Sequence, residues 1–421
     1  MKPDFSEAAN VFIRIGFLSF GGPAGQIALI HREVVDQRQW IKEDEFLHAL
    51  NFCMLLPGPE AMQLATYVGW KLQGVRGGLV AGLAFVLPGA FVIFALSILY
   101  SLFGQLEFVE GLFWGIKAAV LVIVIEALLR VARKALKGWL DWVIAALSFV
   151  ALFAFAVPFP WVIAAAAAIG VVFPHHQRNV LSRQANFPLL RGTFKTIAIW
   201  LAVWLVPLGL IAALLGHNHV YYQLALFFSQ LAIVTFGGAY AVLSYMGQDA
   251  VEIHHWLTAA QMMDGLGLAE TTPGPLILVG QFVGFMAATK AQGNLWSGIF
   301  GSLVFLWMTF APCFLWIFAG APYVVHLQNM PRVSSALSRI TAAVVGVILN
   351  LGVWFGLHVL FMNVARINGP VPVWWPDLAR FDFAAFCLAV IAGVALLHFK
   401  LGIPKTLAIT GGLGVIWKLL M

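Results

Sequence analysis

The chain has 421 residues, of which 62% are hydrophobic and only 10% charged, with a mean hydropathy of +0.92. That balance argues against a soluble domain, and long apolar stretches in place of short alternating strands argue against a β-barrel, which leaves a helical membrane protein. The 24 Lys and Arg exceed the 18 Asp and Glu by six without forming a basic tail or a nucleic-acid module; Cys53, Cys313 and Cys387 lie in apolar segments without metal-ligand spacing.

Apolar elements are predicted near 8–30, 46–69, 77–101, 108–131, 139–157, 160–173, 194–216, 223–246, 262–286, 295–319, 339–363, 381–398 and 404–420, about thirteen in all. No cleavable signal is evident, because Met1-Lys2-Pro3-Asp4 leads into an apolar run carrying Arg14 and a double glycine. Basic residues mark five loops: Lys71 and Arg76; Arg130, Arg133, Lys134 and Lys137; Arg178, Arg183, Arg191 and Lys195; Arg332 and Arg339; Lys400 and Lys405. With the N-terminus inside, the positive-inside rule places all five in the cytoplasm. The loop after the first element mixes acids and bases and does not choose a side. Re-entry of the first two elements would leave the later parity unchanged, so their spanning nature stays open.

The polar stretch Pro174–Arg191 divides the chain into a membrane domain at 1–173, a cytoplasmic linker at 174–193, and a second part at 194–421. That second part begins with an extra connecting element, 194–216. This odd element gives the second repeat the opposite orientation to the first, an inverted repeat.

Two motifs recur at an offset of 216 residues. Leu56-Pro57-Gly58-Pro59-Glu60 is answered by Thr272-Pro273-Gly274-Pro275-Leu276, and Phe20-Gly21-Gly22 by Phe236-Gly237-Gly238. Proline removes a backbone donor and glycine adds freedom, so each motif should interrupt its helix. In lipid such breaks persist only where protein or a water-lined cavity satisfies them. The halves are therefore predicted to meet around a midplane site. Helices restarting after Gly58 and Gly274 would offer free N–H groups and positive dipole ends to an anion, with the double glycines as a second lip.

The candidate substrate contacts are Arg14, Gly21, Gly22, Pro57, Gly58, Pro59, Gln63, Thr235, Gly237, Gly238, Thr272, Pro273, Gly274 and Pro275. Arg14 either attracts an anion or snorkels to the interface. Gln63, Gln281, Thr235 and Thr272 are neutral donors that touch substrate oxygens or bridge helices. Glu60 caps its helix or takes up a proton; Glu270 and Asp264 are further proton-coupling candidates, since a carboxylate beside an oxyanion site repels substrate unless protonated. Lys117 and Glu126 are nine residues apart on one element, too far to pair, so each needs another partner or an aqueous edge. No HExxH, GxSxG or Walker sequence appears, which argues against an enzyme, a metal or a nucleotide cofactor.

These runs resemble the chromate ion transporter family in its long, two-domain form. The resemblance rests on Phe17-Leu18-Ser19-Phe20-Gly21-Gly22-Pro23-Ala24 and Leu55-Leu56-Pro57-Gly58-Pro59 in the first half. In the second it rests on Thr235-Phe236-Gly237-Gly238-Ala239-Tyr240 and the run from Asp264 to Pro275. It implies a multi-pass protein of the bacterial inner membrane that exports chromate and confers resistance, driven by the proton-motive force, with sulfate as a competing ion. Its partners would be chromate, sulfate, protons and lipid, not nucleic acid, and it would work as a monomer or homodimer. The family pattern places glutamine where this chain has Met54; the equivalent second-half residue is Glu270, which suggests oxyanion contact in one half and proton handling in the other. Sulfate transport and an anion channel are the alternatives.

Overall fold

The computed structural model describes residues 3–20, 22–173, 190–236, 238–323, 330–367 and 373–420; Gly21, Gly237 and most of the expected linker lie outside them. The first half comprises α1 (Phe5–Leu18), α2 (Gly22–His31), α3 (Glu43–Cys53), α4 (Glu60–Phe103), α5 (Glu107–Ala135), α6 (Trp139–Phe153) and α7 (Phe159–Val172). A separate helix, α8 (Leu190–Leu215), follows. The second half holds α9 (Val220–Val234), α10 (Ala239–Gln248), α11 (Ala259–Thr271), α12 (Val279–Gln292), α13 (Leu295–Gly320), α14 (Pro331–Leu360), α15 (Phe383–Gly393) and α16 (Ile403–Leu420). The fold is thus all-α with two halves, as expected for a multi-pass membrane protein. Among the described residues one small exception is an antiparallel hairpin of β1 (Val364–Ile367) and β2 (Val373–Pro376), with Val364 opposite Pro376 and Ile367 opposite Val373.

Helix α4 is two arms. Gln73 and Gly74 leave helical geometry, Gly74 with φ +67°, and split it into 60–72 and 75–103. Counting the arms separately, each half runs as four short helices, two long ones and two short ones. The same device recurs in the second half, where Gly293, with φ +71°, closes α12 and Asn294 caps α13 by accepting from the Ser297 N–H at 2.9 Å. Glycines let the arms touch. A Cβ on Gly69 would overlap the Gly77 carbonyl, and a Cβ on Gly301 would overlap that of Gly284.

The expected elements 8–30 and 46–69 are not single rods. Their four helical arms hold 10 to 14 residues, about 15–21 Å of rise against a hydrocarbon core of roughly 30 Å. Their outer ends share one level. Gln73 Nε2 donates to the Pro3 carbonyl at 2.6 Å, Lys71 pairs with Glu45 at 3.1 Å, and His31 meets Glu43 at 2.7 Å. Each pair is therefore a helical hairpin whose tip is the glycine-bearing break. Six helices among the described residues are long and apolar enough to cross a membrane: 60–103, 107–135, 192–215, 295–323, 332–360 and 403–420.

The chain forms two compact units, each built from both halves. The first contains Met1–Ala95, Val171–Ala239 and Thr272–Leu337; the second contains Leu96–Gly170, Tyr240–Thr271 and Ser338–Met421. In the first, Pro88 leaves the Ala84 carbonyl without its helical donor, and Gly16 of α1 packs against that carbonyl. In the second, α5 and α16 approach through Gly111, Gly115 and Gly414, where any side chain would strike backbone. Arg339, expected as a loop cation, is instead buried on α14 against Asp141 of α6. Membrane burial favours such a pair, because either charge alone would be costly there.

Candidate functional site

The four breaks meet in the first unit as two reciprocal pairs. The Gly58 N–H donates to the Thr235 carbonyl, and the Gly274 N–H donates to the Ser19 carbonyl, both at 2.8 Å. The offset of 216 residues converts one bond into the other. Each proline-glycine-proline tip is thus held by the residue that precedes a Phe-Gly-Gly tip of the opposite half. Ser19 and Thr235 are locked alike: their hydroxyls donate to Ile15 O at 2.6 Å and Leu231 O at 2.5 Å, one turn back. Both are buried.

Glycine is required at these tips by conformation. Gly58 and Gly274 have φ of +125° and +92°, and Gly22 and Gly238 have +76° and +99°. Side chains with a Cβ rarely enter that region. Close approach adds a second reason, since a Cβ on Gly89 of α4 would overlap the Pro273 carbonyl.

The amides of Gly58 and Gly274 are bonded to the opposite tip in this arrangement, so a ligand reaches them only by displacing those bonds. What remains near them is the first turn of each restarting helix. Gln63 N donates to Pro59 O at 3.0 Å, which closes the first helical bond of α4, and Leu278 N donates to Pro275 O at 3.0 Å. The positive end of the helix dipole lies just before such bonds.

Side chains reinforce the tips. Gln63 Nε2 donates to Pro57 O at 2.7 Å, while its buried Oε1 has no donor among the described residues. Glu60, half-buried at the start of α4, places Oε1 3.9 Å from where a Cβ of Gly238 would sit. Pro59, Thr272, Pro273 and Pro275 are buried with these groups. Gln281 donates instead to Ala90 O at 3.0 Å and bridges α12 to α4. Arg14 is not among the tip contacts. It lies on the exposed face of α1 beside Ile13 and Phe17, and no carboxylate among the described residues pairs with it.

Gln26 is a tip residue that the motifs did not single out. Its Nε2 donates to Gly274 O at 2.6 Å and reaches Ser19 O at 3.4 Å, so it clamps the first tip to the fourth. The available signal was a lone amide one turn past Gly22 in an otherwise small and apolar helix. Gln26→Leu should strip a donor from buried carbonyls, a loss of about 1–3 kcal/mol. Transport per inserted molecule, measured in vesicles, is expected to fall by roughly tenfold.

The remaining acids belong to the second unit. Glu270 is buried on α11 and accepts from the Tyr240 hydroxyl at 2.8 Å. Asp264, one and a half turns earlier, accepts from the Tyr100 hydroxyl at 2.7 Å and faces Lys117 Nζ at 3.1 Å. Lys117 thereby has its partner, and Glu126 has Arg130 one turn along α5. No group of three or more metal-ligating side chains occurs among the described residues.

Comparison with known proteins follows the same two halves. A family profile described as Chromate transporter matches residues 6–171 and again 222–416. A probable chromate transport protein of Synechococcus elongatus is 30% identical over 397 residues, 92% of this chain and 94% of the relative. Chromate transport proteins of Pseudomonas aeruginosa and Cupriavidus metallidurans are 33% and 28% identical over 348 residues, each 80% of this chain and 77% and 79% of the relatives. No solved structure matches the chain.

Proposed function

This chain belongs to the chromate transporter family, and from that membership we propose that it exports chromate from the bacterial cytoplasm across the inner membrane as a secondary transporter. The observation that carries the mechanism is the reciprocal bonding of the tips, Gly58 to Thr235 and Gly274 to Ser19. Two symmetry-equivalent locks give a bistable element, because breaking either one frees an amide and a carbonyl beside a helix N-terminus. A tetrahedral dianion competes for those donors, and backbone amides recognise charge and shape without a fixed cation. Sulfate has the same charge and shape and competes. The halves act in inverted topology, so exchanging the roles of the two locks exposes the site to the other side.

Energy comes from the membrane potential or a proton gradient. A dianion gains roughly 4.6 kcal/mol on leaving a cell at 100 mV, interior negative. Removal of chromate in that direction is the basis of resistance. Glu270, held by Tyr240, handles the proton, and Glu60 is its counterpart at the tips. Glu270→Gln keeps an acceptor for Tyr240 and should flatten the pH dependence of transport with little change in dianion recognition.

The experiment is chromate movement in inside-out vesicles, with sulfate as competitor, under separately imposed proton and voltage gradients. Saturable, sulfate-competed uptake that responds to either gradient is expected. No chromate movement under any gradient overturns the reading, and a non-saturating current would make the protein a channel.

A further inference from the structure

The second unit contains a cavity of about 640 Å³ that the paired tips do not use. Helix α5 lines it with Glu110, Trp114 and Lys117, spaced so that all three share one face. Ion pairs occur at two depths. At the mouth, Lys418 of α16 lies 3.5 Å from Glu110, both about half exposed. Deeper, Lys117 and Asp264 are 19% and 6% exposed.

The deep pair differs from a structural one. Asp141 and Arg339 are sealed, at 3% and 4% exposure, with their hydrogen bond aligned. Lys117 Nζ lies 3.1 Å from Asp264 Oδ1, while Oδ2 accepts from the Tyr100 hydroxyl. Unlike Arg339, the Lys117 side chain keeps partial exposure on the wall of a cavity, so its ammonium has room for a second partner.

We propose that Lys117 is an oxyanion contact held in reserve by Asp264, and that a proton on Asp264 Oδ1 releases the ammonium to a tetrahedral dianion in this cavity. The charges on every facing element fit that exchange. Around Asp264 stand Tyr100 of α4 and Lys117 and Glu110 of α5, with Asp382 at the start of α15 and Lys418 of α16. With Asp264 ionised, three carboxylates face two ammoniums and a dianion is repelled. With Asp264 neutral the count is even. Glu110 still faces Lys418, and Asp382 stays fixed by the Trp114 indole N–H at 3.2 Å and the Ala385 N–H at 2.8 Å. Lys117 then loses its carboxylate partner and takes the dianion in exchange. The inference deepens the transport reading and rests on it: protonation and substrate binding share one lysine.

The test is equilibrium binding of labelled chromate and sulfate to the purified full chain at an acid and an alkaline pH. The wild type should bind more tightly at acid pH. Lys117→Gln should weaken acid-pH binding by about tenfold, the worth of a charge-assisted hydrogen bond, and remove the pH dependence. Lys117→Arg should retain both, which separates lost charge from lost folding. Asp264→Asn should bind at alkaline pH as the wild type does at acid pH. Wild-type binding with an unchanged affinity and pH profile in Lys117→Gln overturns this inference and leaves the transport reading standing. Binding of neither ion by the wild type overturns both.

Discussion

Gly58→Ala is expected to reach the membrane in normal amount and to carry at least about 100-fold less chromate per inserted molecule. Two costs act at once. The backbone holds φ at +125°, which a residue with a Cβ occupies at a penalty of roughly 1–3 kcal/mol. The added methyl would also lie 2.6 Å from Gln63 Nε2 and 3.0 Å from Cys313 Sγ. Gln63 cannot simply withdraw, because the same nitrogen satisfies the Pro57 carbonyl. Overpacking adds about 1–3 kcal/mol, so the tip leaves its bond to Thr235 long before the surrounding helices unfold. Gly274→Ala separates the two costs. Its φ of +92° carries a similar backbone penalty, but its methyl would meet chiefly the flexible end of Leu278 at 3.1 Å. The second variant should be milder by roughly tenfold. Vesicle transport normalised to inserted protein measures both. Near-normal transport by Gly58→Ala, or a Gly274→Ala more damaging than it, would remove the tip from the mechanism.

The breaks were legible because proline-glycine-proline and Phe-Gly-Gly are strong local signals and their common offset marks equivalence. Equivalence does not name partners. Nothing in the motifs says that Gly58 bonds the residue preceding Phe236 and not its own counterpart, since that choice depends on how the hairpins cross. The hairpins themselves were hidden for a related reason. A hydropathy window of about 20 residues fuses α1 and α2, because the tip at Ser19 and Phe20 carries no polar loop. The kink at Gln73–Gly74 was easier, lying between Lys71 and Arg76 where a loop was predicted.

The bases placed in loops stand mostly on helices, such as Arg133 and Lys134 in the last turn of α5, and the sequence does not name their partners. Lys117 visibly needed a partner, but Asp264 lies far away in sequence, and only the packing of α5 against α11 joins them. Arg366 stands on β1, pairs with Glu252 at 3.3 Å and lies over Trp374. Its hairpin is too short for an alternating pattern to stand out beside the apolar helices.

The largest stability effect is expected from Asp141, a residue with no place in the transport motifs. Its Oδ1 faces Arg339, and its Oδ2 accepts the Gly138 and Lys137 N–H groups at 2.9 and 3.2 Å, so one side chain both neutralises α14 and caps α6. Asp141→Ala removes the carboxylate from a buried guanidinium, a loss of about 3–5 kcal/mol, and the cap adds roughly 1 kcal/mol. Thermal unfolding of the detergent-solubilised protein should show a large drop. Adding Arg339→Met should restore most of it, because a buried pair replaced as a unit costs little whereas half a pair costs much. The double variant should remain below the wild type by about the cap alone. Asp141→Asn with Arg339→Met keeps an acceptor for Gly138 and should recover that remainder. A double variant no more stable than Asp141→Ala would mean that the cap, and not the ion pair, holds α6 to this unit.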